Sequence, residues 1–133
     1  MADQKDIQIN IMRSALGRAR GLGGAKSGAH HWWVQRLTSI ALVPLTLWFI
    51  WNVIAHGGAP YEAVVAWMSG PLTLVLLLAL VVTTFQHMQM GLQVIIEDYV
   101  PHEGKRLAVL LVMKGGTVLL ALAAIVSILR VGL

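Results

Sequence analysis

Residues 63–96 read AVVAWMSGPLTLVLLLALVVTTFQHMQMGLQVII, and this stretch of 34 residues contains no Asp, Glu, Lys or Arg. A second uncharged stretch, of 25 residues, lies between Arg36 and Glu62, and residues 107–129 carry only Lys114 as a charged residue. A helix needs about 20 mostly apolar residues to cross the ~30 Å hydrocarbon core of a bilayer. The sequence therefore predicts an all-α integral membrane protein with three transmembrane helices.

The composition is typical of a membrane protein rather than a soluble or secreted one. Of the 133 residues, 57% are hydrophobic and 12% are charged, with ten Lys and Arg against six Asp and Glu, and the mean hydropathy is +0.73. Soluble domains average about a quarter charged residues. A soluble helical bundle would need a polar face on each helix, yet residues 71–85 offer only Thr73, Thr83 and Thr84. The absence of cysteine excludes a secreted domain held together by disulfides.

The predicted organisation is a polar tail followed by a three-helix anchor. We expect residues 1–28 to form a basic cytoplasmic tail and residues 29–133 to form the transmembrane anchor domain. The predicted spans cover residues 33–55, 66–96 and 106–130. Within the tail we expect a short helix near residues 7–16 and a flexible glycine-rich segment at 21–28. More than 30 residues precede the first span, which argues against a cleavable signal peptide.

The distribution of Lys and Arg predicts the orientation, because short loops rich in these residues stay in the cytoplasm. Residues 1–36 contain six of them and residues 56–70 contain none. The loop after the second span contains Lys105 and Arg106, whereas the C-terminal end contains only Arg130. We therefore expect a cytoplasmic N-terminus and an external C-terminus. The lack of a typical transit peptide favours the bacterial inner membrane over the mitochondrial one.

The most informative polar residue in the predicted spans is His87. It lies 11 residues before Asp98, which places it about 16 Å from the end of the second span and close to the middle of the bilayer. Gly91 follows one turn later on the same face and would allow a bulky flat group to approach the backbone. A neutral imidazole at this depth suits an axial ligand of haem iron. A histidine that only hydrogen-bonds a neighbouring helix is an equally open interpretation of the spacing.

The other four histidines are predicted to lie at the edges of the membrane, away from His87. They are His30, His31 and His102 at the cytoplasmic edge and His56 at the far edge. A haem with two histidine ligands would therefore need its second ligand from another chain. This predicts a partner subunit of similar build.

A second cluster, EDYVPH at residues 97–102, ends the second span. The Tyr99 phenol beside Asp98 could donate a hydrogen bond to a quinone carbonyl, and nearby acidic groups could relay protons. Arg36, at the start of the first span on the same side, could supply positive charge to that quinone or to a haem propionate. Anchoring of the helix at the membrane surface is the alternative interpretation of Tyr99.

The remaining polar features of the spans and the tail allow two interpretations each. Lys114 can extend toward the cytoplasmic surface or point inward to a propionate or carboxylate, and the adjacent Gly115 and Gly116 would allow close helix packing. The basic tail can lie on anionic lipid or bind a soluble partner.

These motifs together resemble a known family of respiratory membrane subunits. The second span carries the string His-x3-Gly-x6-Asp-Tyr from His87 to Tyr99. Upstream, a Gly-x-His string ends at His30, Arg36 follows, and residues 14–18 read SALGR. This pattern resembles the smaller hydrophobic membrane anchor of bacterial succinate dehydrogenase, respiratory complex II.

The resemblance covers residues 14–130 and implies a heterotetramer of a flavoprotein subunit, an iron–sulfur subunit and two anchors, with haem b between the anchors. It implies that His87 is one axial ligand of the haem iron and that the larger cytochrome b anchor supplies the other. It further implies that Tyr99 hydrogen-bonds a ubiquinone carbonyl, with Asp98 as the neighbouring carboxylate.

The same resemblance places Arg36 and His30 near the haem propionates and the quinone pocket, with Gly91 beside the haem. It implies that succinate is oxidised in the flavoprotein subunit, so this chain is part of an enzyme but performs no succinate chemistry. Membrane lipid is an expected partner and nucleic acid is not.

Two alternative functions for this chain belong to other functional classes. A haem-free structural anchor, as in fumarate reductase-like complexes, would show no haem absorption. A small transporter with His87 as a proton relay would act without dehydrogenase partners, and it gives no reason for the pair Asp98 and Tyr99.

Overall fold

The computed structural model describes residues 25–133, with side chains described from residue 28 onward. The helices are α1 (Ala25–Ala55), α2 (Tyr61–Met68), α3 (Pro71–Tyr99) and α4 (Glu103–Gly132), and residues 25–133 contain no β-strand. Three segments are long and apolar enough to cross a membrane: Gly28–Ala55, Pro71–Tyr99 and Glu103–Gly132. The predicted all-α fold with three apolar spans is confirmed.

The first span starts earlier than predicted. Helix α1 begins at Ala25, so residues 25–28, expected to be flexible, are helical. Once a long helix exists, each added residue gains a backbone hydrogen bond without a new nucleation step, and one glycine does not prevent this. The helix also continues through Pro44. The short helix predicted at residues 7–16 lies outside the described residues.

A tight reversal separates α1 from α2. The amide of Ala59 donates to the carbonyl of His56 at 3.0 Å, and Gly58 adopts a φ of +82°. A glycine reaches this left-handed conformation without the steric cost that a Cβ imposes. Pro60 then lies in an extended conformation directly before α2.

The second span begins later than predicted. Residues 61–68 form the separate helix α2, and Ser69 and Gly70 break the chain before α3 begins at Pro71. Proline lacks an amide hydrogen and its ring collides with the preceding helical turn, so a helix cannot pass through this position undisturbed, whereas proline suits the first helical residue. The predicted start at residue 66 therefore lies within α2, and the long apolar helix is Pro71–Tyr99.

Helices α3 and α4 form a hairpin joined by residues 100–102. The buried side chains of this hairpin include Leu77 and Met90 of α3 and Thr117 of α4. Gly132 is buried at the end of α4, where a Cβ atom would lie 2.6 Å from Leu74 Cδ1 and 3.2 Å from the Met68 carbonyl oxygen. Because Gly132 has no side chain, the end of α4 can approach the corner between α2 and α3, where Met68 ends α2 and Leu74 lies in the first turn of α3.

Lys114 and the adjacent glycines lie on an open face of α4. Lys114 is exposed, and a Cβ atom at Gly115 or Gly116 would meet nothing within 4 Å. The close packing expected at these glycines is therefore absent among residues 28–133. In a membrane, such an outward-facing surface contacts lipid or another subunit.

The chain divides into two compact units, residues 1–34 and residues 35–133. In the described part of the first unit, the rings of Trp32 and Trp33 pack edge to face with centroids 5.1 Å apart. The second unit contains the rest of α1 and all of α2, α3 and α4. His87 and the cluster at the end of α3 both lie in this second unit.

Candidate functional site

The side chain of His87 connects α3 to α1. His87 is half-buried, and its Nδ1 atom lies 3.0 Å from the Thr38 hydroxyl oxygen, a contact between residues 49 positions apart in the sequence. The sequence pattern indicates His87 but does not indicate Thr38. A single apolar span gives no sign of which side chain will meet a histidine on another helix, so only the packing of α1 against α3 reveals Thr38.

The hydrogen bonds around Thr38 determine which nitrogen of His87 carries the proton. The Thr38 hydroxyl donates to the backbone carbonyl of Gln35 at 3.0 Å, and a carbonyl oxygen can only accept. Both contacts of the hydroxyl are satisfied together when its oxygen accepts the Nδ1–H of His87. Within residues 28–133 the Nε2 atom of His87 has no hydrogen-bond partner. In the neutral imidazole, Nε2 then carries the lone pair, and it is the atom that a metal would bind.

Gly91 lies one turn beyond His87, beside Gln35 of α1. A Cβ atom at Gly91 would sit 3.9 Å from the Gln35 amide nitrogen, so this side of Gly91 faces another side chain of the same protein. The Gln35 amide oxygen is buried and has no hydrogen-bond partner in the described part of the chain. The approach of a flat group to Gly91 stays a prediction, and Gln35 would be its immediate neighbour.

The cluster at the end of α3 is open. Tyr99 is the last residue of the helix and is 80% exposed, and Asp98 is also exposed. Neither side chain has a hydrogen-bond partner among residues 28–133. Glu97, by contrast, accepts a hydrogen bond from the Gln93 amide at 2.8 Å. Asp98 and Tyr99 are thus available to a ligand or to another subunit.

Because α3 is one continuous helix, the directions in which Asp98 and Tyr99 project from its axis can be compared with the direction of His87. With ~100° of rotation per residue, Asp98 lies within about 20° of the His87 direction and Tyr99 about 120° away from it. Along the axis, Tyr99 is about 18 Å from His87. The two predicted sites therefore lie on one helix at different depths.

Arg36 lies close to the depth of His87. The contacts of Thr38 with His87 and of Gln35 with Gly91 show that α1 and α3 run antiparallel here. Arg36 is two residues from Thr38, about 3 Å along the axis, so its Cα is about 15 Å from the level of Tyr99. Arg36 therefore lies nearer the level of His87 than the level of Tyr99, and both of its predicted roles stay predictions.

The other histidines lie apart from this site or in the first unit. His30 is exposed on the first turns of α1, and His102 is exposed directly before α4. The His56 ring stacks against Trp67 with centroids 4.8 Å apart. Among the described residues, no group of three or more His, Cys, Asp or Glu side chains could hold a metal ion. A metal at His87 would thus need most of its ligands from elsewhere.

Comparison with known proteins identifies the family. The model of the succinate dehydrogenase/fumarate reductase transmembrane subunit matches residues 10–129, most of the chain. The chain belongs to this family. The resemblance found in the sequence is thereby confirmed, and the three apolar helices are those of a succinate dehydrogenase/fumarate reductase transmembrane subunit.

The relatives with assigned names point to one branch of the family. A succinate dehydrogenase hydrophobic membrane anchor subunit from Rickettsia bellii is 34% identical over 116 residues, which cover 87% of this chain and 93% of the relative. The subunit of the same name from Paracoccus denitrificans is 28% identical over 115 residues, covering 86% and 88%. No solved structure matches the chain.

Proposed function

We propose that this chain is the smaller membrane anchor of a succinate dehydrogenase, that His87 is one axial ligand of haem b, and that Tyr99 and Asp98 form part of the quinone site. The family match and the named relatives support the anchor function. The single observation that supports haem binding is the contact between His87 Nδ1 and Thr38, which leaves Nε2 with a lone pair.

The residues present are compatible with a haem. The porphyrin supplies four nitrogen ligands, so the protein needs to provide only axial ligands, and this chain offers one histidine on a membrane helix. When bound, haem b supplies a one-electron redox centre within the membrane. The second axial ligand would come from the larger cytochrome b anchor. Arg36, at the depth of His87, and His30 are proposed to lie on the propionate side, and Gly91 beside the ring.

The open end of α3 suits a quinone. The Tyr99 phenol can donate a hydrogen bond to a quinone carbonyl, because no residue among 28–133 engages it. Asp98, which is exposed at the end of α3, can pass protons to the reduced quinone. The Cα of Arg36 lies about 15 Å along the helix axis from the level of Tyr99, so Arg36 would contact the quinone at a point away from the Tyr99 phenol. Ubiquinone is the proposed substrate.

The assembly and its location follow from the same proposal. The flavoprotein and iron–sulfur subunits would carry out succinate oxidation and electron transfer, and this chain would hold them to the bacterial inner membrane. The basic N-terminal region would face the cytoplasm, on the same side as Tyr99. The chain itself would perform no succinate chemistry.

The test is a reduced-minus-oxidised visible spectrum of the purified complex, scaled to its flavin content. We expect a b-type α-band in the wild type that is lost in His87→Ala. His102→Ala is the matched control, because it removes an imidazole from the same chain at an exposed position outside the spans, and it should retain the band.

The outcomes separate the proposed function from its alternative. An unchanged band in His87→Ala would mean that both axial ligands come from other residues. No band in the wild type would favour the haem-free structural anchor of a fumarate reductase-like complex.

A further inference from the structure

The hydroxyl of Thr38 is the polar group of α1 that contacts His87. Thr38 Oγ1 lies 3.0 Å from His87 Nδ1 and also donates to the Gln35 carbonyl oxygen at 3.0 Å. A chain of hydrogen bonds therefore runs from the imidazole through the hydroxyl to the backbone of α1. Because each bond polarises the next, the backbone carbonyl strengthens the hydroxyl as an acceptor.

We propose that Thr38 is a positioning residue for His87: it holds the imidazole in the Nδ1–H tautomer, sets the plane of the ring, and increases electron donation from Nε2 to the iron. This inference rests on the proposed haem at His87. Metal-bound histidines generally donate their second N–H to an oxygen acceptor, which orients the ring and makes the ligand more basic. Here the acceptor is a threonine hydroxyl on a different helix.

The direction of the effect follows from the hydrogen bond. Accepting Nδ1–H shifts electron density toward Nε2, and a stronger donor stabilises ferric iron more than ferrous iron. Thr38→Val keeps the shape of the side chain but removes the acceptor, so it should raise the midpoint potential of the haem. We expect about a tenfold change in the ratio of oxidised to reduced haem at a fixed potential, ~59 mV for a one-electron couple.

Neighbouring residues of α1 provide controls. Ser39 donates to the same Gln35 carbonyl at 2.9 Å without contacting His87, so Ser39→Ala removes a hydroxyl from the same turn and should leave the potential unchanged. Thr38→Ser restores the hydroxyl and should return the potential toward the wild-type value.

The measurement is a redox titration of the visible haem band in the purified holo-complex of each variant, together with the rate at which haem is lost to an apo-globin acceptor. We expect Thr38→Val to lose haem about tenfold faster or more, because loss of a ligand's outer partner typically weakens metal binding by that order. If Thr38→Val does not assemble, Thr38→Ala should show the same rise in potential.

The outcomes distinguish this inference from the proposed function. A wild-type potential and haem-loss rate in Thr38→Val would overturn the positioning role, while haem at His87 would stand. An equal shift in Ser39→Ala would also overturn it, since the effect would then arise from the Gln35 carbonyl alone. A haem band that persists in His87→Ala would instead refute the proposed function, and the Thr38 inference with it.

Discussion

His87 and Tyr99 are side chains of one helix with opposite surroundings. His87 is half-buried and tied to a second helix through Thr38, whereas Tyr99 is exposed at the last residue of α3. The first arrangement suits a ligand that must keep one orientation. The second suits a group that meets a mobile substrate at the membrane surface or is completed by a partner subunit.

At the residue scale, Tyr99→Phe should slow quinone reduction. We expect a fivefold to tenfold loss of succinate:quinone activity, the effect of about 1 to 1.4 kcal/mol from one lost hydrogen bond in the rate-determining state. Succinate oxidation with an artificial dye acceptor should stay near the wild-type rate, because the phenylalanine preserves the shape of the side chain. Both activities are measured on the same membrane preparation.

The chain offers a matched control for this substitution. Its other tyrosine, Tyr61, is 73% exposed at the start of α2, at the opposite end of the spans. Tyr61→Phe should leave both activities unchanged. Equal loss of quinone and dye activity in Tyr99→Phe would mean that the phenol contributes to assembly rather than to quinone binding.

At the scale of elements, the residue types at the helix ends determine where each helix begins and ends. The sizes of the side chains determine how closely the helices approach one another. Helix α3 begins at Pro71 because proline suits the first helical position, where no intrahelical bond needs its missing amide hydrogen. Ser69 and Gly70 separate α3 from α2. Gly132 lets the last turn of α4 approach Leu74 and the Met68 carbonyl. This approach joins α4 to the corner of α2 and α3.

A larger residue at Gly132 should weaken that corner. Gly132→Ala should have a small effect, since Leu74 can rotate away from one methyl group. Gly132→Leu should cost about 1–3 kcal/mol, the usual cost of overpacking. The measurement is the thermal unfolding temperature of the purified complex in detergent.

Gly104 is the control for this prediction. It lies in the first turn of α4, where a Cβ atom would meet nothing within 4 Å. Gly104→Leu should therefore not unfold below the wild-type temperature, because leucine meets no neighbour there and favours the helix more than glycine does. Equal stability of Gly132→Leu would show that the end of α4 does not pack against α2 and α3 in the membrane.

At the scale of the whole molecule, the three candidate spans within residues 28–133 would put the start of α1 and the end of α4 on opposite sides of a membrane. The excess of Lys and Arg in the N-terminal region predicts that this region is cytoplasmic. An alkaline phosphatase reporter, active only outside the cytoplasm, should be active when fused after Leu133 and inactive when fused after Pro101.

A green fluorescent protein reporter at the same two positions is the complementary control, because it fluoresces only in the cytoplasm and should give the reverse pattern. An active phosphatase after Pro101 would reverse the proposed orientation. It would then place Tyr99 on the side of the membrane away from the cytoplasmic dehydrogenase subunits.

The amino-acid sequence was enough to predict the all-α membrane fold with three apolar spans and the family, and to identify His87, Asp98 and Tyr99 as candidates. These features depend on local composition and on spacing along one helix, since a bilayer requires long uncharged helices and a helix repeats at a known angle. The predicted second span includes the end of α2 because residues 61–68 are as apolar as α3. Only the break before Pro71 separates them.

The contacts between α1 and α3 are evident only in the folded chain. It placed the Thr38 hydroxyl on His87 and the Gln35 amide beside Gly91, and it put Arg36 near the depth of His87 rather than at Tyr99. These contacts join residues about 50 positions apart. An apolar helix can rotate about its axis against a neighbouring helix and still bury a similar apolar surface. The sequence pattern of the helices therefore does not specify which residues of α1 contact α3. The packing of the side chains specifies these contacts.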